Sequence, residues 1–438
     1  SGRPGPVWID IPLDVQTSLI ELRKINNVSK TEKHKKINFD KFYKLIENSK
    51  RPIILAGNGV NMSNSKILFR DFLKNINIPS LFTWNGSNLL AHDNKLNCGI
   101  PGIFGQRAAN IILQKSDLIV ALGTTLGLSI TTPNFKNFAP KAKIIHIDQD
   151  NQEIKHFNKK IKMGLKIDLN YFFKEAKKNY ISTLKKNNWL DFCSFVKKRY
   201  NKLYIKTKKN YIDPYDFVDL FSKKTSKNGS IVIDGGGTCN QIFFQAFKNI
   251  KNQRAFVSAG VCAMGSGIPD GIGIASSLEK RNKVNVICGD GSFQFNVQEL
   301  QTLKDNNLNI NIFVFSNKSY LSIRHTQKEF LNNRYFGSSK KGGLNVPNIE
   351  NITKAYKIKY FSFNNIHSLS ENFNKINNYK KSSVIELIMD PSYEIKPKIS
   401  FNKKSRGKFV ASTLDNMYPF LKHNEINNLL KIYEKKKY

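Results

Sequence analysis

A chain of 438 residues has the length for two or three domains, each with a core of its own. Its net charge of +37 at pH 7 suggests nucleic acid, but roughly five lysines stand for each arginine and they are scattered with Asn and Ile through every segment. Readers of phosphate and base favour arginine gathered on one face, so no nucleic-acid partner is expected. No apolar run approaches the roughly 20 residues that cross a bilayer, so no membrane partner is expected either. Cys98, Cys193, Cys239, Cys262 and Cys288 are widely spaced, form no CxxC pair and read as reduced thiols of a cytoplasmic protein.

The chain opens on Ser-Gly-Arg-Pro-Gly-Pro, a turn, followed by an alternating stretch at residues 7–11 that predicts a strand. Residues 22–37 are basic and polar, as in a linker. From Asn38 to about Tyr180 the runs RPIILAGNGV, PSLFTW, DLIVALG and KIIHIDQD alternate with helical stretches at residues 66–73 and 108–114. That alternation predicts a parallel α/β domain. Gly57, Gly59 and Gly123 end strands where a dinucleotide could lie, although tight turns from strand to helix need such glycines in any case. Residues 188–208, rich in Lys, Asn and Tyr, predict a helix pair leading to a second domain. That domain begins at Asp213-Pro214, with Asp as helix cap and Pro in the first turn. The strand SIVIDGGG follows, then Thr238 and a helix bearing Phe243, Phe244 and Phe247. The turn at Gly237 and Thr238 is either one edge of a phosphate site or only a flexible connection. In VSAGVCAMGSGIPDGIGIAS, Gly265, Gly267, Gly271 and Gly273 suit a helix packed close on a sheet and on a second subunit.

The stretch VNVICGDGSFQFNVQELQTLKDNNLNINIFVFSNKSYL reads as strand, Gly-Asp-Gly-Ser turn, amphipathic helix around Val297, Leu300 and Leu303, and a second strand ending in Ser-Asn. A right-handed crossover would lay the two strands side by side, with Asp290 and Asn317 together beyond their carboxyl ends. A carboxylate, an amide oxygen and a backbone carbonyl just after Asn317, at Ser319, supply part of an octahedron for Mg²⁺, which phosphate oxygens and water would complete. Gly289 and Gly291 allow close backbone approach, and the N–H groups of Gly291 and Ser292 suit a phosphate. A Gly-Asp-Gly turn by itself is common and can be only a turn.

The spacing from Gly289-Asp290-Gly291 to Asn317 resembles the thiamin-diphosphate (ThDP) motif, GDG followed a helix later by paired asparagines. Here Ser316 stands for the first of the pair, and Asn317 keeps the liganding position. The likeness, specifically to acetolactate-synthase-like enzymes, covers nearly the whole chain. GRPGPV and PLDVQ resemble the end of a pyrimidine-binding domain, FAPKAKIIHID the central domain and LDNMYPFL the tail. GQRAAN is closer to ThDP enzymes of nucleotide-sugar and surface-polysaccharide pathways. The resemblance implies doubly wound α/β domains: a pyrimidine-domain remnant at residues 1–20, a central domain at 38–180, a diphosphate-binding domain at 209–395 and a tail at 396–438.

It implies ThDP and Mg²⁺ as cofactors, with Asp290, Asn317 and the Ser319 carbonyl on the ion. The loop of Gly237 and Thr238 would contact the diphosphate, although Cys239 stands where many relatives carry His. Met264 would be the catalytic prop that bends the cofactor, and the Cys262 carbonyl would accept from the pyrimidine amino group, so that this group reaches the thiazolium carbon and acts as internal base. Ser322, Ile323, Arg324 and Thr326 fall where relatives set substrate choice, with Thr326 at the place of the Trp of true acetolactate synthases. TTLGLSITTP replaces the arginine-bearing FAD stretch, so FAD is not expected. The implied reaction is decarboxylation of a 2-oxoacid such as pyruvate with transfer of the acyl anion, in a homodimer or homotetramer. A simple decarboxylase, or a lyase for acyl-CoA or sugar-derived substrates, is the alternative within the family. A non-catalytic cofactor-binding or scaffold chain is the alternative outside it. The Glu that activates the cofactor in relatives lies on the pyrimidine-binding domain of a partner subunit, a domain expected upstream of Ser1.

Overall fold

Two parallel sheets carry the architecture of the computed structural model, which describes residues 3–19, 36–132, 135–156, 160–179, 187–200, 208–250, 252–278, 282–403 and 409–435. The first sheet has β1 (Pro52–Ala56), β2 (Ser80–Phe82), β3 (Leu118–Leu122), β4 (Lys143–Asp148) and β5 (Ile161–Lys166), in the order β2-β1-β3-β4-β5. The second has β6 (Ser230–Ile233), β7 (Arg254–Val257), β8 (Val284–Gly289), β9 (Ile310–Ser316), β10 (Lys359–Phe363) and β11 (Ser383–Ile388), in the order β10-β11-β9-β8-β6-β7. Every pairing within these sheets is parallel. A short antiparallel pair, β12 (Phe401–Lys403) with β13 (Phe409–Ala411), follows.

Burial on both faces explains the nearly unbroken apolar runs of the sequence. In β1, Ile54 and Ala56 enter one core while Ile53 and Leu55 enter the other. In β9, Phe313 and Phe315 point one way and Ile312 and Val314 the other. Helices Lys66–Ile76 and Arg107–Lys115 cover the first sheet where helical stretches were expected. Helix Pro214–Lys224 starts under its Asp213 cap, whose Oδ1 accepts from the backbone of Tyr215 at 2.8 Å and Asp216 at 3.3 Å.

Two expectations are corrected. Residues 7–11 form no strand; among the described residues no strand pairs with them, Trp8 is 92% exposed, and a five-residue helix, Leu13–Thr17, follows. Helix Asn187–Arg199 covers the first part of the helix pair expected at 188–208, whose remainder at 201–207 lies outside the described residues, as does most of the linker at 22–37. Between β8 and β9 the chain makes two short helices, Asp290–Phe295 and Glu299–Asp305, instead of one. The tail packs back on the first sheet's core through Ile399, Leu414, Met417 and Leu429.

The sheets meet along a joint of specific contacts. Trp84 stacks on Phe244 at 5.2 Å between ring centroids. Gln245 Nε2 donates to the Gly105 and Pro397 carbonyls, and Gln106 Nε2 donates to the Gln245 carbonyl at 3.0 Å. At the outer edge of β7, Val257 N–H donates to Asn85 Oδ1 at 3.0 Å while Asn85 Nδ2 donates to the Val257 carbonyl at 2.9 Å. An asparagine side chain thus pairs with an edge strand as a neighbouring strand would.

Candidate active site

The crossover from β8 to β9 sets Gly289 beside Phe315 in register, so the segments that leave these two strands start side by side. Asp290, 2% exposed, opens the helix after β8, and Asn317, 4% exposed, follows β9. Asp290 Oδ2 accepts from the backbone of Lys318 at 2.6 Å and Oδ1 from Gly291 at 2.8 Å. Asn317 Oδ1 accepts from the Ser319 backbone at 3.0 Å and hydroxyl at 2.9 Å, which tightens the turn. Lys318, between them, takes the left-handed backbone with φ 53°. Burial pushes the Asp290 carboxyl up to about 6, outweighing the N–H bonds that favour its charged form.

A second wall comes from β6. Asp234, 1% exposed at the end of that strand, accepts from Gly236 N–H through Oδ1 at 2.7 Å and from Gly265 and Gly267 N–H through Oδ2 at 2.9 Å each. The carboxylate thereby clips the glycine loop after β6 to residues 258–267, which carry Cys262 and Met264. Gly265, at φ 90°, needs glycine's freedom there. A methyl group on Gly235 would collide with the Cys262 and Ala263 backbone, and one on Gly236 would lie 2.5 Å from Ser292 Oγ and 3.7 Å from Met264 Cγ. On Gly291 it would strike the Tyr320 ring and sit 3.4 Å from Met264 Cε. On Gly237 it would meet the Ser322 side chain.

The structure therefore gathers Gly237, Met264, Gly289, Asp290, Gly291, Ser292, Asn317, Ser319 and Ser322 at the carboxyl ends of β6, β8 and β9. Cys262 approaches along the same loop, in left-handed backbone at φ 50°. Thr238 is half-buried in the first turn of helix Gly237–Ala246. Ile323 and Thr326 sit exposed on helix Leu321–Phe330. Cys239 is buried, its thiol donating to the Gly236 carbonyl at 2.9 Å, and burial raises it well above the ordinary thiol range. His325 is a structural residue: its Nε2 lies 2.9 Å from the Tyr393 carbonyl.

Sequence reasoning missed Asp234, Tyr320 and Glu386. The signals were an acid closing the apolar strand SIVID and an acid inside the buried strand VIEL; nothing marked Tyr320.

A diphosphate bridged by a hard cation fits what is present. Ser322 Oγ, against the bare Gly237, is buried without a hydrogen-bond partner among the described residues, and the glycines leave a cradle that side chains would fill. Among the described residues no three His, Cys, Asp or Glu side chains gather as a metal cage. One carboxylate, one amide oxygen and backbone carbonyls suit an ion that shares its ligands with phosphate. A cavity of about 940 Å³ opens beside this wall at the carboxyl ends of β1, β3 and β4, touching Gly57, Gly59, Gly123, Asp148 and, across the joint, Cys262.

A doubly wound α/β fold with a glycine-lined, acid-floored pocket at its strand ends defines a cofactor-binding enzyme. Residues 39–175 match the family model of the thiamine pyrophosphate enzyme central domain, and residues 235–387 that of the C-terminal TPP binding domain. The chain is 30% identical over 423 residues to a probable acetolactate synthase large subunit of Methanococcus aeolicus, covering 90% of this chain and 68% of that protein. It is 30% identical over 415 residues to the acetolactate synthase large subunit of Lactococcus lactis subsp. lactis, covering 91% and 69%. Against acetolactate synthase 2, chloroplastic, of Nicotiana tabacum it is 30% identical over 331 residues, 73% of this chain and 49% of that one. The chain belongs to the thiamin-diphosphate-dependent enzymes and is acetolactate-synthase-like.

Proposed function

We propose that this enzyme uses ThDP and Mg²⁺ to decarboxylate a 2-oxoacid such as pyruvate and to transfer the acyl unit to an acceptor carbonyl. The observation that carries the reading is the buried Asp290 carboxylate, tied through the Lys318 N–H to the turn that holds Asn317. Asp290, Asn317 and the Ser319 carbonyl would hold the cation, and the loops of Gly237, Thr238, Gly289, Gly291 and Ser292 the diphosphate. When bound, ThDP supplies a carbon nucleophile and an electron sink for the carboxylate carbon. The chain's own residues bind and orient. Met264, against Gly236 and Gly291, props the bound ring system, and the Cys262 carbonyl accepts a hydrogen bond from it. Asp234 holds both in place by fastening their loop. Ser322, Ile323 and Thr326, on one helix beside the glycine wall, face the substrate.

The reading divides the chain into units at residues 1–20, 38–180, 209–395 and 396–438. It takes the enzyme to be a cytoplasmic homodimer or homotetramer whose partner subunit supplies the activating carboxylate from an upstream domain. FAD is left out, because TTLGLSITTP brings no arginine to the central cavity and Arg3 at its rim is already paired with Asp150 and Glu153. The test is calorimetric titration of ThDP with Mg²⁺ into the wild type and Asp290→Ala. Loss of binding in the variant is expected, since Asn317 alone cannot hold the ion. Equal affinity would overturn the site. Turnover is then assayed with pyruvate and a panel of 2-oxoacids on a chain extended upstream, and a silent extended chain would favour a scaffold role.

A further inference from the structure

Glu386 lies on β11, 5% exposed, on the sheet face that also buries Val314 and Val384. A carboxylate on such a face costs several kcal/mol unless donors meet it. Three do. Ser316 Oγ donates to Oε1 at 2.6 Å, Lys318 Nζ to Oε1 at 3.2 Å, and the Tyr360 hydroxyl to Oε2 at 2.5 Å. Two of these donors flank Asn317 in sequence, one on each side. The backbone N–H of the second is the group that donates to Asp290 Oδ2. Glu386 therefore grips the turn of the cation site from behind while Asp290 grips it from the front.

The charge arrangement adds a second consequence. The Lys318 ammonium is carried by the residue whose backbone touches Asp290, yet its ion pair is with Glu386. Among the described residues no ion pair joins Lys318 to Asp290. The Lys318 charge already favours the ionised form of the Asp290 carboxyl, and an ammonium released from Glu386 would be free to move toward that carboxylate and compete there with a divalent ion. Resting on the function proposed above, we infer that Glu386 is a positioning residue of the cation site: it fixes the turn bearing Asn317 and keeps the Lys318 ammonium off Asp290. Ser316, where the resemblance expects Asn, is the third member of the arrangement and bonds to the same carboxylate oxygen.

The experiment measures Mg²⁺ affinity by calorimetry in the presence of saturating ThDP, on the full chain, for wild type, Glu386→Gln, Lys318→Gln and the double variant, with Asp290→Ala as control. Loss of a supporting group behind a metal ligand weakens affinity by about 10–100-fold, and Glu386→Gln should fall in that range. Removing the ammonium as well should recover most of the loss, an outcome that a merely structural role for Glu386 would not produce. Glu386→Asp, which keeps the charge, should stay well short of that loss of about 10–100-fold and carries the test if Glu386→Gln does not fold. Undiminished affinity in Glu386→Gln, or a loss that persists in the double variant, would overturn the inference while Asp290→Ala still abolished binding. If Asp290→Ala also bound normally, the cation site itself would be wrong and this inference with it.

Discussion

Replacing Asp234 by Ala removes the acceptor for three backbone N–H groups, those of Gly236, Gly265 and Gly267, at 2.7, 2.9 and 2.9 Å. All three bonds are buried. Each orphaned N–H costs about 1–3 kcal/mol, so the gross loss is about 3–9 kcal/mol. Relief from burying a carboxylate offsets several kcal/mol of that, which leaves a net loss of about 3 kcal/mol. Asp234→Asn keeps one acceptor oxygen but turns an amide N–H₂ toward a backbone donor, and should fall between. The assay is urea denaturation followed by far-UV circular dichroism, paired with ThDP titration of the folded variant, because the loop released is the one that carries Met264. Cofactor affinity should fall even where the fold survives. A stability change below about 1 kcal/mol together with unaltered ThDP affinity would refute the clip.

Gly291→Ala should cost about 1–3 kcal/mol by overpacking against the Tyr320 ring and weaken ThDP binding, and Tyr320→Ala in the same chain should recover stability in a thermal melt. Burial lowers Lys283 to about 8 where its ammonium donates to Asn311 and the Tyr379 carbonyl. Since the folded value lies below the ordinary value of about 10.4, the unfolded chain binds more protons between the two and stability rises with pH across that window. Lys283→Met should abolish that rise, so its melting-temperature difference from wild type should change across the window, and equal differences at both ends would refute the reasoning. Binding to duplex DNA should be weak, non-specific and steeply salt-dependent in gel shifts, and sequence-selective binding would contradict the enzyme reading. The purified protein should show no flavin absorbance, and stoichiometric flavin would reverse the reading of the central cavity.

The strands were legible because parallel sheets covered on both faces demand apolar side chains in both directions, as in PIILA and INIFVF. The turns at Asp290 and Asn317 were legible because polar residues at the ends of such strands have few structural reasons to be there. Residues 7–11 misled because alternation states only that one face is apolar; pairing requires a neighbour, and none stands beside them among the described residues. The break of the helix after Asp290 was hidden because Val297, Leu300 and Leu303 keep a helical spacing across the irregular residues 296–298. Asp234 and Glu386 were passed over for a common reason: apart from Gly236, the groups they hold lie 26 or more positions away, beyond any local window.

The pairing of Asn85 with Val257 bears on the order in which the molecule comes into being. The exposed rim of a parallel sheet is a template for any other extended chain until something occupies it. Here the occupant is a side chain made about 170 residues earlier in synthesis than the rim it covers. On a ribosome Asn85 has been made well before β7 exists, so the guard is already there when the vulnerable edge appears. A rearranged gene that placed the second sheet first would produce the same contacts at equilibrium, but would leave β7 bare during the interval when unfinished chains are most prone to aggregate.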